Sequence, residues 1–114
     1  MSIPHFNAGD SVTTLALEGR LDAATIITIQ PEFMAKTAAL KKPVLVDMSQ
    51  VTFMASLCIR MLVEAAKGLK ASGARLALLK PTPLVERALQ ASGFHLVVGI
   101  FHDKETAMEN LSRS

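Results

Sequence analysis

The sequence predicts an α/β fold, a central mixed sheet of four to five strands with about four helices. Three features point there. Short runs of Val, Leu, Ile and Ala alternate with longer stretches of helical periodicity. Turn residues separate them at Asn7-Ala-Gly-Asp10, Lys41-Lys-Pro43, Gly73, Lys80-Pro-Thr-Pro83 and Gly93. The 114 residues are 50% hydrophobic but only 4% aromatic, with no Tyr or Trp, so Leu, Ile, Val, Ala and Met must fill the core. That length suits a single domain over residues 1–114.

In chain order, residues 3 to 6 read as a short strand and Asn7 to Asp10 as a tight turn. Ser11 to Leu17 reads as a second strand, giving an antiparallel hairpin. Asp22 to Leu40 has helical period, with Ala23, Ile26, Ile27, Phe33, Ala38 and Leu40 as apolar positions. Asp22 is a good N-cap, and Pro31 breaks the helix or begins a new turn. Val44 to Met48 is a buried strand, followed by a short connection. Residues 56 to 72 then form a long amphipathic helix that Gly73 stops. Arg75 to Leu79 is a strand, and Pro83 sits early in a helix that runs to about Ser92 and ends at Gly93. Leu96 to Phe101 is a last strand-like run, and Asp103 caps a helix through Leu111. Such alternation favours mainly parallel pairing after the hairpin.

In the central helix, Ile59, Leu62, Val63, Ala66 and Leu69 share one side and are expected on the sheet. Arg60, Glu64 and Lys67 fall toward solvent. Leu57 and Met61 fall on that outer side too, one turn apart, and Gly68 continues their row. They read either as scattered surface apolar residues or as a small docking patch. Ser56 opens the helix and has two readings. Its hydroxyl can cap the helix, although the reciprocal capping box lacks its Glu or Gln because position 59 is Ile. Alternatively it accepts a phosphate, which adds about −1.5 to −2 charge at neutral pH where the helix dipole tolerates it.

Several function classes are disfavoured. The formal net charge is +2, from 12 basic and 10 acidic residues spread along the chain, which is no footprint for nucleic acid. Lys41-Lys42 and the Lys67/Lys70 helix face read as solvated surface. Cys58 is the only cysteine, so no intrachain disulfide forms and a reducing cytoplasm fits. It lies near the helix N-terminus but beside the core face, which favours a buried, inert thiol. Met1 to Asn7 lacks the basic and apolar regions of a signal peptide. No apolar run approaches the roughly 18 residues of a membrane helix, so no membrane insertion is expected. His5, His95 and His102 lack ligand spacing, and no phosphate loop, nucleophile elbow or zinc motif occurs. Asp22 and Asp47 read as capping or loop groups, not a catalytic pair. Neither a cofactor nor an enzymatic activity is expected.

Four segments carry a resemblance. They are Glu18-Gly-Arg-Leu-Asp22, Val44 through Ser56, Gly73-Ala-Arg-Leu-Ala-Leu-Leu79 and Val85-Glu-Arg-Ala-Leu-Gln-Ala-Ser-Gly-Phe94. In this order and spacing they resemble the STAS domain of the anti-sigma factor antagonist family, over nearly the whole chain. The resemblance implies a STAS-like fold and a partner-switching role in signal transduction and transcription regulation. A partner serine kinase, in that family often itself the anti-sigma factor, would phosphorylate Ser56, and a PP2C-type phosphatase would reverse it. The unphosphorylated protein, a monomer or weak dimer, would bind the kinase. Carried over, Gly19, Arg20 and Asp22 sit beside Ser56, and Thr52, Met54, Ala55, Leu57, Arg60 and Met61 border the partner surface. Many members read Asp-Ser-Ser-Gly-Leu-Gly where this chain reads Ala55-Ser-Leu-Cys-Ile-Arg60, so Ala55 replaces an acidic residue. The alternatives are a STAS scaffold or transport-complex subunit that is never phosphorylated, and a small-ligand-binding domain.

Overall fold

A computed structural model describes Ile3, residues 5–9 and residues 11–112. Pro4 and Asp10, within the expected first strand and turn, lie outside the described residues. Among the described residues, five strands form one sheet in sequential order: β1 (His5–Ala8), β2 (Thr13–Leu21), β3 (Val44–Met54), β4 (Leu76–Leu79) and β5 (Gly99–Phe101). β1 pairs antiparallel with β2, as the hairpin reading expects, and every later pair is parallel. The described residues also form α-helices α1 (Ala23–Ala35), α2 (Ser56–Ala71), α3 (Pro83–Ala91) and α4 (Lys104–Ser112).

Parallel strands added in one direction with right-handed crossovers keep every crossover helix on the same face. Accordingly, α1, α2 and α3 share one aliphatic core with Val44, Val46, Met48, Leu76 and Leu78 of the sheet. The opposite face, Leu45, Ala77 and Leu79, is covered by Ala107 and Leu111 of α4. No helix among the described residues is long and apolar enough to cross a membrane.

Several local readings are corrected. Pro31 neither breaks nor restarts α1, which runs through it to Ala35 before a 3₁₀ turn at Ala38–Leu40. The proline removes one donor, and Ile27, whose carbonyl loses its partner, is on the solvent side with 66% exposure, where water can substitute. Ile29, not Ile27 or Leu40, completes the buried face with Ile26 and Phe33. The last strand is short: Leu96 belongs to a 3₁₀ turn, Phe94–Leu96, and β5 begins only at Gly99.

β3 does not stop at Met48 but continues to Met54. Its first half, Val44 to Asp47, is flanked by both β2 and β4, whereas the second half pairs with β2 alone. Two register shifts against β2 each give β3 one extra residue. At the first, the Ser49 N–H donates to the Asp47 carboxylate at 2.9 Å, a local turn-like bond within the strand. Polar residues at these irregularities make the sequence look like a loop.

The largest correction concerns α2. Its buried residues are Cys58, Met61, Leu62, Ala65, Ala66 and Leu69, while Ile59 and Val63 are only half-buried. Met61 is 1% exposed and Leu57 packs partly against the core, so the expected outward Leu57/Met61 patch does not exist. The helix is covered on a second side, by α1 and the Ala38–Leu40 turn. Gly68, in the same row, comes so close to this turn that an added Cβ would stand 3.0 Å from that of Ala38. A helix wedged between sheet and helix needs a broader apolar arc than one resting on a sheet alone.

Met61→Ala should therefore destabilise the fold by about 2–5 kcal/mol in urea unfolding, while Arg60→Ala next to it stays within about 0.5 kcal/mol. Equal, small effects would return Met61 to the surface.

Candidate functional site

Parallel strands of similar reach bring their following helices to one edge of the sheet. β2 ends at Leu21 and β3 at Met54, and these two residues are register partners. The Ala55 N–H then donates to the Leu21 carbonyl at 2.9 Å, tying the two strand ends together. α1 starts one residue beyond Asp22, and α2 starts at Ser56. From the third crossover, the Thr82 hydroxyl donates to the Val51 carbonyl at 3.2 Å, bringing the start of α3 to the same edge. Three helix N-termini with their partial positive charge thus gather here.

Gly19 has φ +78, a left-handed conformation that side chains rarely adopt, and an added Cβ would meet open space. Here backbone conformation, not crowding, calls for glycine. A register shift follows directly, between Gly19 and Arg20, and pairs Arg20 with Phe53. The Arg20 guanidinium lies 4.2 Å from the Phe53 ring centre, a cation–π contact. Its Nε stands 3.7 Å from the Asp22 carboxylate, with the arginine side chain 66% exposed. Such an open ion pair contributes little stability and leaves the guanidinium available.

Asp22 caps α1 as the sequence suggests, accepting the Thr25 N–H at 3.0 Å. Hydrogen bonds from Thr25, and then the Arg20 charge, hold its carboxyl below the usual aspartate value. Asp103 caps α4 in the same manner, accepting the Thr106 N–H at 2.8 Å.

Ser56 is the first residue of α2 and exposed; it is not the cap. Ala55 holds the N-cap position and has no side chain able to accept a bond. The N–H groups of Cys58 and Ile59 both turn back to the Ala55 carbonyl, at 2.9 and 3.4 Å. The first N–H groups of a helix have no acceptor within it. α2 therefore presents an uncapped start beside a serine hydroxyl. Arg60, four residues on, lies one turn along the same exposed row.

Of the expected site residues, Arg20, Thr52, Ser56 and Arg60 are exposed, and Gly19, Asp22, Ala55 and Leu57 are half-buried. Met54 and Met61 are buried in the core, at 8% and 1% exposure. Cys58 is also buried, which pushes its thiol pKa up to about 12 and removes it from chemistry at neutral pH. Sequence reasoning missed Phe53, the platform for Arg20, because β3 was expected to end earlier. It also missed Leu84, an exposed leucine in the first turn of α3. Pro83 signals that helix start, and the parallel topology supplies its position. Among the described residues no group of three His, Cys, Asp or Glu side chains is placed to hold a metal ion.

A family model described as STAS domain matches residues 5–107. Several solved structures share the fold. An anti-sigma-factor antagonist (STAS) domain protein from Planctomyces limnophilus superposes with a TM-score of 0.86 at 24% identity, covering 98% of this chain and 99% of that one. The anti-sigma factor antagonist SpoIIAA in its unphosphorylated form gives a TM-score of 0.77 at 19% identity, covering 96% and 98%. The Bacillus cell fate determinant SpoIIAA in its phosphorylated form gives 0.67 at 19% identity, covering 93% and 98%. No curated protein matches the chain significantly by sequence.

The depressed Asp22 carboxyl stabilises the fold fully above the ordinary aspartate pKa, and this contribution is lost as pH falls through its lower folded value. Asp22→Asn keeps a capping oxygen but cannot titrate. Urea midpoints taken from neutral pH down to about pH 2 should fall less steeply in Asp22→Asn than in the wild type. Identical acid slopes would mean the carboxylate is not coupled to folding.

Proposed function

Because this chain belongs to the STAS domain family, we propose that it is a partner-switching regulator of the anti-sigma factor antagonist kind, gated by reversible phosphorylation of Ser56. The carrying observation is the exposed Ser56 hydroxyl at an uncapped helix start. Unphosphorylated, the protein binds a serine kinase that is also an anti-sigma factor. Phosphate on Ser56 dissociates it, and a PP2C-type phosphatase restores it. The protein serves as substrate and binding partner in the cytoplasm, not as an enzyme.

Phosphate suits this position on three counts. The N–H groups of Ser56 and Leu57, which open the helix, can donate to an anion, and the helix dipole favours it. Arg60 lies one turn away and can pair with a phosphate oxygen. Ala55 places no acidic side chain before the acceptor, so no adjacent carboxylate repels the incoming group. The modification therefore changes surface charge while the fold persists.

The burial of Met61 and Met54 alters how such a partner is held. Its contact surface is built from Gly19, Arg20, Asp22, Thr52, Ala55, Ser56 and Arg60, with Leu57 at its margin, and is mostly polar. A polar surface depends on matched charge, so a dianion at its centre weakens binding mainly through electrostatics and desolvation.

Incubation with the cognate kinase and ATP, followed by peptide mass spectrometry, should place one phosphate on Ser56 and none on Ser56→Ala. Phosphate elsewhere, or none, would overturn the assignment. Ser56→Asp should weaken kinase binding by about 1 kcal/mol or more in calorimetry, roughly fivefold, with the circular dichroism spectrum unchanged.

A further inference from the structure

A groove of about 800 Å³ lies at the other end of α2, between its last turns, the approach to β4 and the approach to β5. It is roughly 20 Å along the helix from Ser56, at about 1.5 Å per residue. Lys67 and Lys70 reach it from α2, Arg75 from the start of β4, and His95 from the 3₁₀ turn before β5. All four are exposed. Among the described residues, none of the three permanent cations is in an ion pair and no carboxylate lines the groove. Two lysines that look like ordinary solvated surface in the sequence are joined by two further basic residues only in the fold.

The same groove carries an apolar lip. Leu96 is 81% exposed and Val97 64%, the two highest values among the large exposed hydrophobic residues save Ile27. The next residue, Val98, is buried and anchors them. Basic side chains next to exposed aliphatic ones are complementary to a chain that carries carboxylates and aliphatic groups together. The trough is open, with its charged and apolar rims both in solvent, whereas a small-molecule site encloses most of its ligand. No aromatic side chain lines it for base stacking, and a nucleic acid has no use for the aliphatic lip. We infer that this groove is a second docking surface, which takes an acidic segment of a partner protein with aliphatic residues set among its carboxylates. It stands apart from Ser56, so the protein can hold this partner in either state of the switch.

Panning a random dodecapeptide library on the full chain tests this, with selected peptides then measured by fluorescence anisotropy. Enriched sequences should combine Asp or Glu with Leu, Ile or Val. The triple variant Lys67→Glu/Lys70→Glu/Arg75→Glu, checked for folding by circular dichroism, should bind about tenfold or more weakly. Leu96→Ser/Val97→Ser should also weaken binding, and added salt should lower the affinity. Ser56→Asp should leave it unchanged. The inference fails if no peptide is selected, if acidic residues are not enriched, or if the triple variant binds equally well. It also fails if Ser56→Asp weakens binding as much, or if duplex DNA or phosphatidylglycerol vesicles bind more tightly than the peptides.

Discussion

The parallel pairing of β2 with β3 organises everything at the functional edge. It survives two register shifts and closes with the 2.9 Å bond from the Ala55 N–H to the Leu21 carbonyl. Both strands therefore end level, and both following helices begin level. Asp22 can cap α1 while Arg20 lies on Phe53 from the neighbouring strand. Had β3 stopped at Met48, Ser56 would hang on a free loop. Instead, the chain enters α2 from a paired strand, and Ser56, the proposed acceptor, stands on rigid structure. This matters because a charge can gate an interface only if it is held at a fixed place in that interface.

Packing of α2 on two sides sets what the protein can show a partner. The sheet takes one face and α1 with its following turn takes another, which leaves a single polar row of Ser56, Arg60, Glu64 and Lys67. An apolar contact patch is thereby replaced by a charged stripe. One end of the stripe is the helix start with its serine. The other end reaches the basic groove. A single helix thus links two surfaces of different chemistry, one around the exposed Ser56 hydroxyl and the other rich in exposed cations.

Much of this is legible in the sequence, and what is not has physical causes. Asp22, Pro83, Gly93 and Asp103 act through short-range backbone chemistry, and each marks its helix end as expected. The hairpin and the strand–helix alternation follow from local patterns in the same way. Pro31 misled because solvent can repair the bond it removes on an outer face. β3 misled because Asp47, Ser49 and Gln50 sit at register shifts, where polar residues do not end a strand. Met61 misled because periodicity assigns one buried face, and only tertiary packing reveals a second. Ser56 was displaced from the cap by a single residue, since Ala55 already has the extended backbone of an N-cap. That one-residue change frees the hydroxyl from structural duty, a distinction below the resolution of sequence patterns.

In the proposed switch, phosphate on Ser56 settles onto a preformed helix start and alters the surface alone. Amide NMR spectra of the isotope-labelled protein before and after phosphorylation test this directly. Large shifts are expected at Ser56, Leu57 and Cys58, whose N–H groups open α2, and smaller ones at Arg20 and Arg60. The amides of Met61, Leu62, Val46 and Leu78 should keep their positions and their protection from exchange. Shifts spread through these core residues, or loss of their protection, would mean that phosphate acts by melting the fold, and would contradict the account.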